Sequence, residues 1–131
     1  MSQILEKQKT TELTIFKRKV QKVIDTIRSH GDIEQGFGAL NRDNKLCVSG
    51  LLMFLGGIPK SDFHGISGFV DIKRLYEFSD ADMYKTITNH HCEKEYNTTI
   101  PVSMSNLFYL NDLEHSFDEI ADILQKGIDE L

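Results

Sequence analysis

Cysteine, proline and long apolar runs are all scarce in this chain, and each scarcity excludes something. The two cysteines of the 131 residues, Cys47 and Cys92, have no close-spaced partner. Neither a disulfide framework nor a zinc knuckle is indicated, and both are expected as free thiols. Two prolines leave little room for a long unstructured linker, so disorder is expected only at the ends, over about residues 1–9. No apolar run reaches the roughly 20 residues that span a bilayer. The N-terminus is polar where a signal peptide would carry its hydrophobic stretch, which predicts a cytoplasmic protein with no membrane contact. The triplet Asn97-Thr98-Thr99 matches a glycosylation acceptor, but such a match means nothing without secretion.

What remains is ordinary globular material: 40% apolar and 27% charged residues, in a length near the commonest domain size. One core suffices, and no repeat or composition shift marks a second domain. The net charge of −5 conceals an asymmetry. Residues 1–30 hold seven Lys or Arg against three acids, while residues 31–131 hold eight against seventeen. An acidic body repels phosphates, so nucleic acid binding would rest on the first helix alone and is not expected. The simpler role of that basic face is to compensate the acidic body.

Hydrophobic spacing predicts a mainly α protein, with room for one or two short strands in an α+β arrangement. Leu13, Phe16, Val20, Val23, Ile24 and Ile27 recur at steps of three and four, marking one face of a helix over 11–30 opposite Lys17, Arg18, Lys19 and Lys22. Thr10 or Thr11 is its expected cap and Gly31 its end. The next stretch, with Gly36, Gly38 and the turn-prone run Asn41-Arg42-Asp43-Asn44, reads as loop with a short strand near Phe37–Leu40. Leu46, Val48, Leu51, Leu52, Phe54 and Leu55 lie on every side of a helix over 46–55, which must therefore be covered all round. Phe69, Ile72, Leu75 and Tyr76 suggest a further helix. Ser79 or Asp80 caps another, expected to carry Met83, Ile87 and His91 on one face. Ile100-Pro101-Val102 breaks the pattern, and 102–110 reads as a short helix. Ser116 and Glu119 form a capping box for a last helix whose buried stripe is Phe117, Ile120, Ala121, Leu124, Ile128 and Leu131.

Cys47 is the first candidate for chemistry, because backbone N–H groups and the dipole at a helix start favour a thiolate. A papain-like nucleophile also needs a histidine base and an orienting Asn or Asp; His90, His91 or His115 with Asn111 or Asp112 follow in that order. The commoner role of a cysteine among Leu and Val is a small core residue. His90, His91, Cys92 and Glu95 are metal-ligand types, with His91 and Glu95 sharing a face if helical. Adjacent helical histidines point about 100° apart, however, so no metal site and no cofactor is expected. Gly36, Gly38 and Gly56-Gly57 lack the spacing and the Lys-Ser/Thr of a phosphate loop.

Two stretches, Cys47-Val48-Ser49-Gly50-Leu51-Leu52 and Leu110-Asn111-Asp112 followed by Ser116 to Leu124, carry a likeness to a known group. The chain resembles a family of small, largely uncharacterised bacterial and phage proteins, in which a basic first helix precedes a Cys-x-x-Gly-Ala-Leu helix start and an Asn-Asp closes before the last helix. Leu51 stands where that pattern has Ala, and the family's common Trp is absent. The resemblance implies a fold more than an activity. Cys47 and Gly50 would let another helix approach the central one, and Asn111 and Asp112 would be turn and cap residues.

The reading these features favour is a non-enzymatic, acidic binding protein, an accessory or inhibitor-type product of a phage or mobile element that meets a protein partner. Complementary fields speed the encounter of an acidic domain with a basic partner. Asp62, Asp71, Glu77, Asp80 and Asp82 form the expected contact series, whose alternative is a plain solvated surface. A second reading is a cysteine-dependent hydrolase using Cys47, His91 and Asn111. A third is a small-ligand sequestering protein with a pocket near the Gly-rich segment 56–68.

Overall fold

The computed structural model describes residues 2–37, 39–63, 68–92 and 97–131. Gly38, Glu95 and residues 64–67 of the Gly-rich segment lie outside the described residues. The fold is mainly α, with two short antiparallel hairpins. Helix α1 runs Ser2–Arg28, so it starts well before the expected cap at Thr10 or Thr11. The predicted stripe is where the core forms: Phe16, Val20, Val23, Ile24 and Ile27 are all buried.

The turn-prone run folds as a hairpin of its own. Strands β1 (Asn41–Arg42) and β2 (Lys45–Leu46) pair around Asp43 and Asn44, which sit at φ 53° and 66°. A two-residue turn with both residues left-handed matches the twist of its strands, and Asn and Asp tolerate that region best after glycine. The strand expected at Phe37–Leu40 is therefore displaced to the flanks of the turn.

Helix α2 spans Val48–Leu55, two residues shorter at its start than expected, because Leu46 belongs to β2 and Cys47 caps the helix. Val48 to Met53 are buried, and only Phe54 and Leu55 at the far end show appreciable surface. Contacts from α1, from α3 (Phe69–Leu75) and from α5 (Leu107–Asp112) cover it. Gly50 permits the closest approach: a Cβ there would lie 2.1 Å from the Leu40 carbonyl oxygen. Tyr76, just after α3, ties that helix to α2 by donating its hydroxyl to Leu52 O at 2.7 Å.

Helix α4 (Asp80–Tyr84) opens on a full capping box between Ser79 and Asp82. It does not run on to His91. Thr88–Cys92 is instead strand β3, antiparallel to β4 (Thr98–Val102), with His90 opposite Ile100 and Asn89 opposite Pro101. β4 is rich in β-branched residues, Thr98, Thr99, Ile100 and Val102, which favour the pleat, and an outer strand of a two-stranded sheet tolerates a proline that has no N–H to give. The period-3.6 reading of Met83, Ile87 and His91 thus fails after Tyr84. The short helix expected over 102–110 divides into the end of β4, a 3-10 turn at Met104–Asn106 and α5.

Helix α6 (Phe117–Glu130) starts on the predicted Ser116–Glu119 box and lies against α1 and β3. Its stripe is buried as expected except for Leu131, which lies beyond the helix and is 39% exposed. The basic helix and the acidic one meet through Arg28–Asp122 at 2.9 Å, His30–Asp118 at 3.1 Å and Lys17 Nζ donating to Leu131 O at 2.9 Å. The charge asymmetry of the sequence is in part an internal match between these two helices.

Candidate functional site

The two stretches that carry the family resemblance meet at Asn111, whose side chain is fully buried. Its Oδ1 accepts from Val48 N, the first N–H of α2, at 2.9 Å and from Gln35 Nε2 at 2.9 Å. Its Nδ2 donates to Gly36 O at 2.8 Å. Gln35 Nε2 also reaches His115 O at 2.7 Å. One amide therefore ties the start of the central helix, the loop before the hairpin and the end of α5, and it gives Val48 N and Gly36 O the partner that a buried polar group needs.

Cys47 stands beside this amide at the N-cap of α2, where its Sγ accepts from Gly50 N at 3.5 Å. It is 4% exposed. Burial pushes its thiol above the ordinary 9.0, outweighing the backbone N–H groups of Gly50 and Ser49, and Asp112 adds to the rise. The thiol is thus protonated at neutral pH. Among the described residues no imidazole is hydrogen-bonded to it. His91 sits on the exposed side of β3, where Nδ1 meets Thr99 Oγ1 and Nε2 meets Asn97 Oδ1, both at 2.9 Å. Cys47, His91 and Asn111 each have separate partners and make no triad.

The strand assignment changes what the histidines can do. Side chains alternate along β3, so His90 and His91 face opposite sides of the hairpin. His90 Nε2 lies 3.1 Å from His115 Nε2, with the rings at 79° and their centroids 4.9 Å apart. Burial, then the His115 and His91 imidazoles, pulls His90 below its ordinary 6.5, leaving it neutral at pH 7. Glu119 Oε2 stands 3.6 Å from His115 Nδ1 on the other edge of that ring. Among the described residues no group of three or more His, Cys, Asp or Glu side chains converges as a metal centre.

The acidic series spreads along the chain from the turn at Lys60–Asp62 to α4. Asp62 and Glu77 are exposed. Asp71 pairs with Arg74 at 3.5 Å, Asp82 with Lys19 at 3.4 Å, and Asp80 with Lys73. Partial burial raises the Asp82 carboxyl, but the Ser79 backbone and hydroxyl and the Lys19 ammonium outweigh it and hold it below the usual carboxylate range. Three of the five acids are therefore locally neutralised.

What sequence periodicity missed is the apolar surface between them. Val70 is 73% exposed, Tyr84 68% and Ile15 45%. Ile15 and Tyr84 line a cleft of about 650 Å³ between α1 and α4, and Val70 lines a second of about 470 Å³; Lys19 and Ser79 belong to both. Tyr84 is steadied by Phe69, with ring centroids 5.6 Å apart. Val70 and Tyr84 fall at positions adjacent to the buried stripes of α3 and α4, and the short length of both helices hid which face was left over. The Gly-rich segment proposed to hold a small ligand is only partly described, and residues 64–67 lie outside.

No protein-family model, no characterised protein and no solved structure matches the chain. None of the described helices is long and apolar enough to cross a membrane.

Proposed function

We propose that this chain is a non-enzymatic binding protein that occupies a basic partner protein with the face built by α1, α3 and α4. The observation that carries this reading is the grouping of Val70, Tyr84 and Ile15, all strongly exposed, around two adjoining clefts. Amphipathic aromatic and aliphatic anchors ringed by charge are the usual composition of a contact surface, because the anchors supply desolvation and the rim supplies register. Here the rim holds Glu12, Glu77 and Asp82 with Lys19, Lys73, Arg74 and Lys85. The rim is mixed in sign, so it fixes orientation, while the net charge of −5 draws in a partner of opposite charge. An inhibitor-type accessory role follows if that partner is an enzyme whose basic substrate-binding surface becomes covered. The protonated thiol of Cys47, with no imidazole hydrogen-bonded to it among the described residues, weighs against the hydrolase alternative.

The test is a low-salt pull-down from a cell extract with wild type, Val70→Asp and Tyr84→Ala in parallel. A basic protein retained by wild type, released by salt and lost roughly tenfold or more from both variants supports the reading. Equal recovery by all three sinks it.

A further inference from the structure

We propose that His90 and His115 form a two-imidazole chelate for a late first-row divalent metal ion such as zinc or copper. The pair comes from different elements, His90 from β3 and His115 from the turn just before α6, and it lies far apart in sequence. Its geometry is close to that of two ligands of one ion. Zn–N bonds of about 2.0–2.1 Å at a tetrahedral angle place the nitrogens roughly 3.3 Å apart, and here the two Nε2 atoms are 3.1 Å apart. A shift of a few tenths of an ångström admits the ion.

The ring orientations agree. Centroids at 4.9 Å are too close for two Nε2 atoms meeting end to end along one line, so the ring axes are inclined to each other. In the absence of an ion the two rings share an N–H···N hydrogen bond, and the same inclined approach lets both nitrogens turn to one metal ion.

The surroundings prepare both ligands. Metal-ligating histidines commonly hold their second nitrogen on a carboxylate, which fixes the tautomer and raises basicity. Glu119 Oε2 stands 3.6 Å from His115 Nδ1, just beyond hydrogen-bond reach, and a small turn of the ring towards an ion brings it into contact. The His115 backbone is anchored twice: its carbonyl accepts from Gln35 at 2.7 Å and its N–H donates to Leu110 O at 3.2 Å. His90 is held in register opposite Ile100. Both rings are only half-buried, so an ion reaches them from solvent and completes its shell with water. Imidazole pairs of this kind prefer zinc, nickel and copper over magnesium or calcium. The carboxylate of Glu119 also supplies negative charge near the ion, offsetting the positive end of α6.

The experiment uses tag-free full-length protein, titrated with zinc chloride and separately with copper(II) chloride against a chelator of known affinity. The side-chain nitrogen resonances of every histidine are followed in the zinc arm. One ion per chain is expected, with the His90 and His115 Nε2 signals moving and those of His91 unmoved, since both of its nitrogens are already engaged. His90→Gln and His115→Gln are each expected to bind roughly tenfold or more weakly, and Glu119→Gln, which keeps the helix cap, to weaken binding at least several-fold. His91→Gln should bind as wild type. If His115→Gln fails to fold, judged by circular dichroism, His90→Gln on the hairpin decides alone. Equal affinity in wild type and His90→Gln, or zinc shifts confined to other histidines, overturns the proposal.

Discussion

Asn111→Ala removes the common partner of Val48 N, Gln35 Nε2 and Gly36 O in a site closed to water. Each buried group left without a partner costs about 1–3 kcal/mol. Gln35 keeps His115 O, so two groups, Val48 N and Gly36 O, are orphaned and a loss of about 2–6 kcal/mol is expected, read as a lower denaturation midpoint in urea; an unchanged midpoint would mean that water replaces the amide. Gly50→Ala acts by volume instead. Its new methyl meets backbone, the Leu40 carbonyl, rather than a side chain that can swing aside. The strain of overpacking, about 1–3 kcal/mol or more, should appear in the same assay. Asp82 makes a third residue-scale case, governed by pH. Its carboxyl is held below the usual range, so the folded state favours the charged form. The stabilisation is complete above the ordinary Asp value and is lost as pH falls through the lowered one. Wild type should therefore exceed Asp82→Asn in stability at pH 7, and the gap should close in acid; a constant gap would assign the effect to the cap hydrogen bonds alone.

At the scale of elements, ends were easier to read than interiors. The Ser116–Glu119 box is local chemistry over one helical turn, and it forms as the spacing requires. Ser116→Ala removes its hydroxyl from Glu119 N and is expected to cost about 0.5–2 kcal/mol, visible as a lower thermal midpoint. The long stripe of α1 was legible for the same reason: many turns repeat one signal. β3 was not. Met83, Ile87 and His91 fit a helical period by chance, because a strand that begins within three residues of a short helix gives neither period room to repeat. Pro101 also looked like a break, although among the described residues no strand lies on the outer side of β4 to need an N–H there. The cost of that misreading fell on the candidate sites. As helix neighbours, His90 and His91 would point about 100° apart; as strand neighbours they take opposite faces, and His90 meets His115 across the tertiary fold. Asn111 was readable as a cap residue, but its cap serves α2, a helix distant in sequence, which no local signal reveals.

Across the whole molecule, the basic first helix is the feature that invites the wrong partner. Seven cations in thirty residues would suit a phosphate backbone if they were displayed together. The fold turns three of them to partners. Lys19 turns to Asp82, Arg28 to Asp122 and Lys17 to Leu131 O, which lie on α4, α6 and the residue after α6. Pairs this exposed contribute little to stability, about 0–1 kcal/mol each, yet they place a carboxylate beside Lys19 and Arg28 and weaken the field that would attract DNA. A bound phosphate would also have to approach the acidic body, whose seventeen carboxylates outnumber its eight cations. Fluorescence anisotropy with a labelled duplex at physiological salt should accordingly show no binding tighter than the non-specific range of roughly 10⁻⁴–10⁻⁶ M. Asp82→Lys with Asp122→Lys, which reverses the charge beside Lys19 and Arg28, should raise the affinity and steepen its salt dependence. Tight, salt-sensitive binding by the unaltered protein would show that α1 presents its charge outward after all, and would move the contact surface from the Val70–Tyr84 clefts to the opposite side of the same helix.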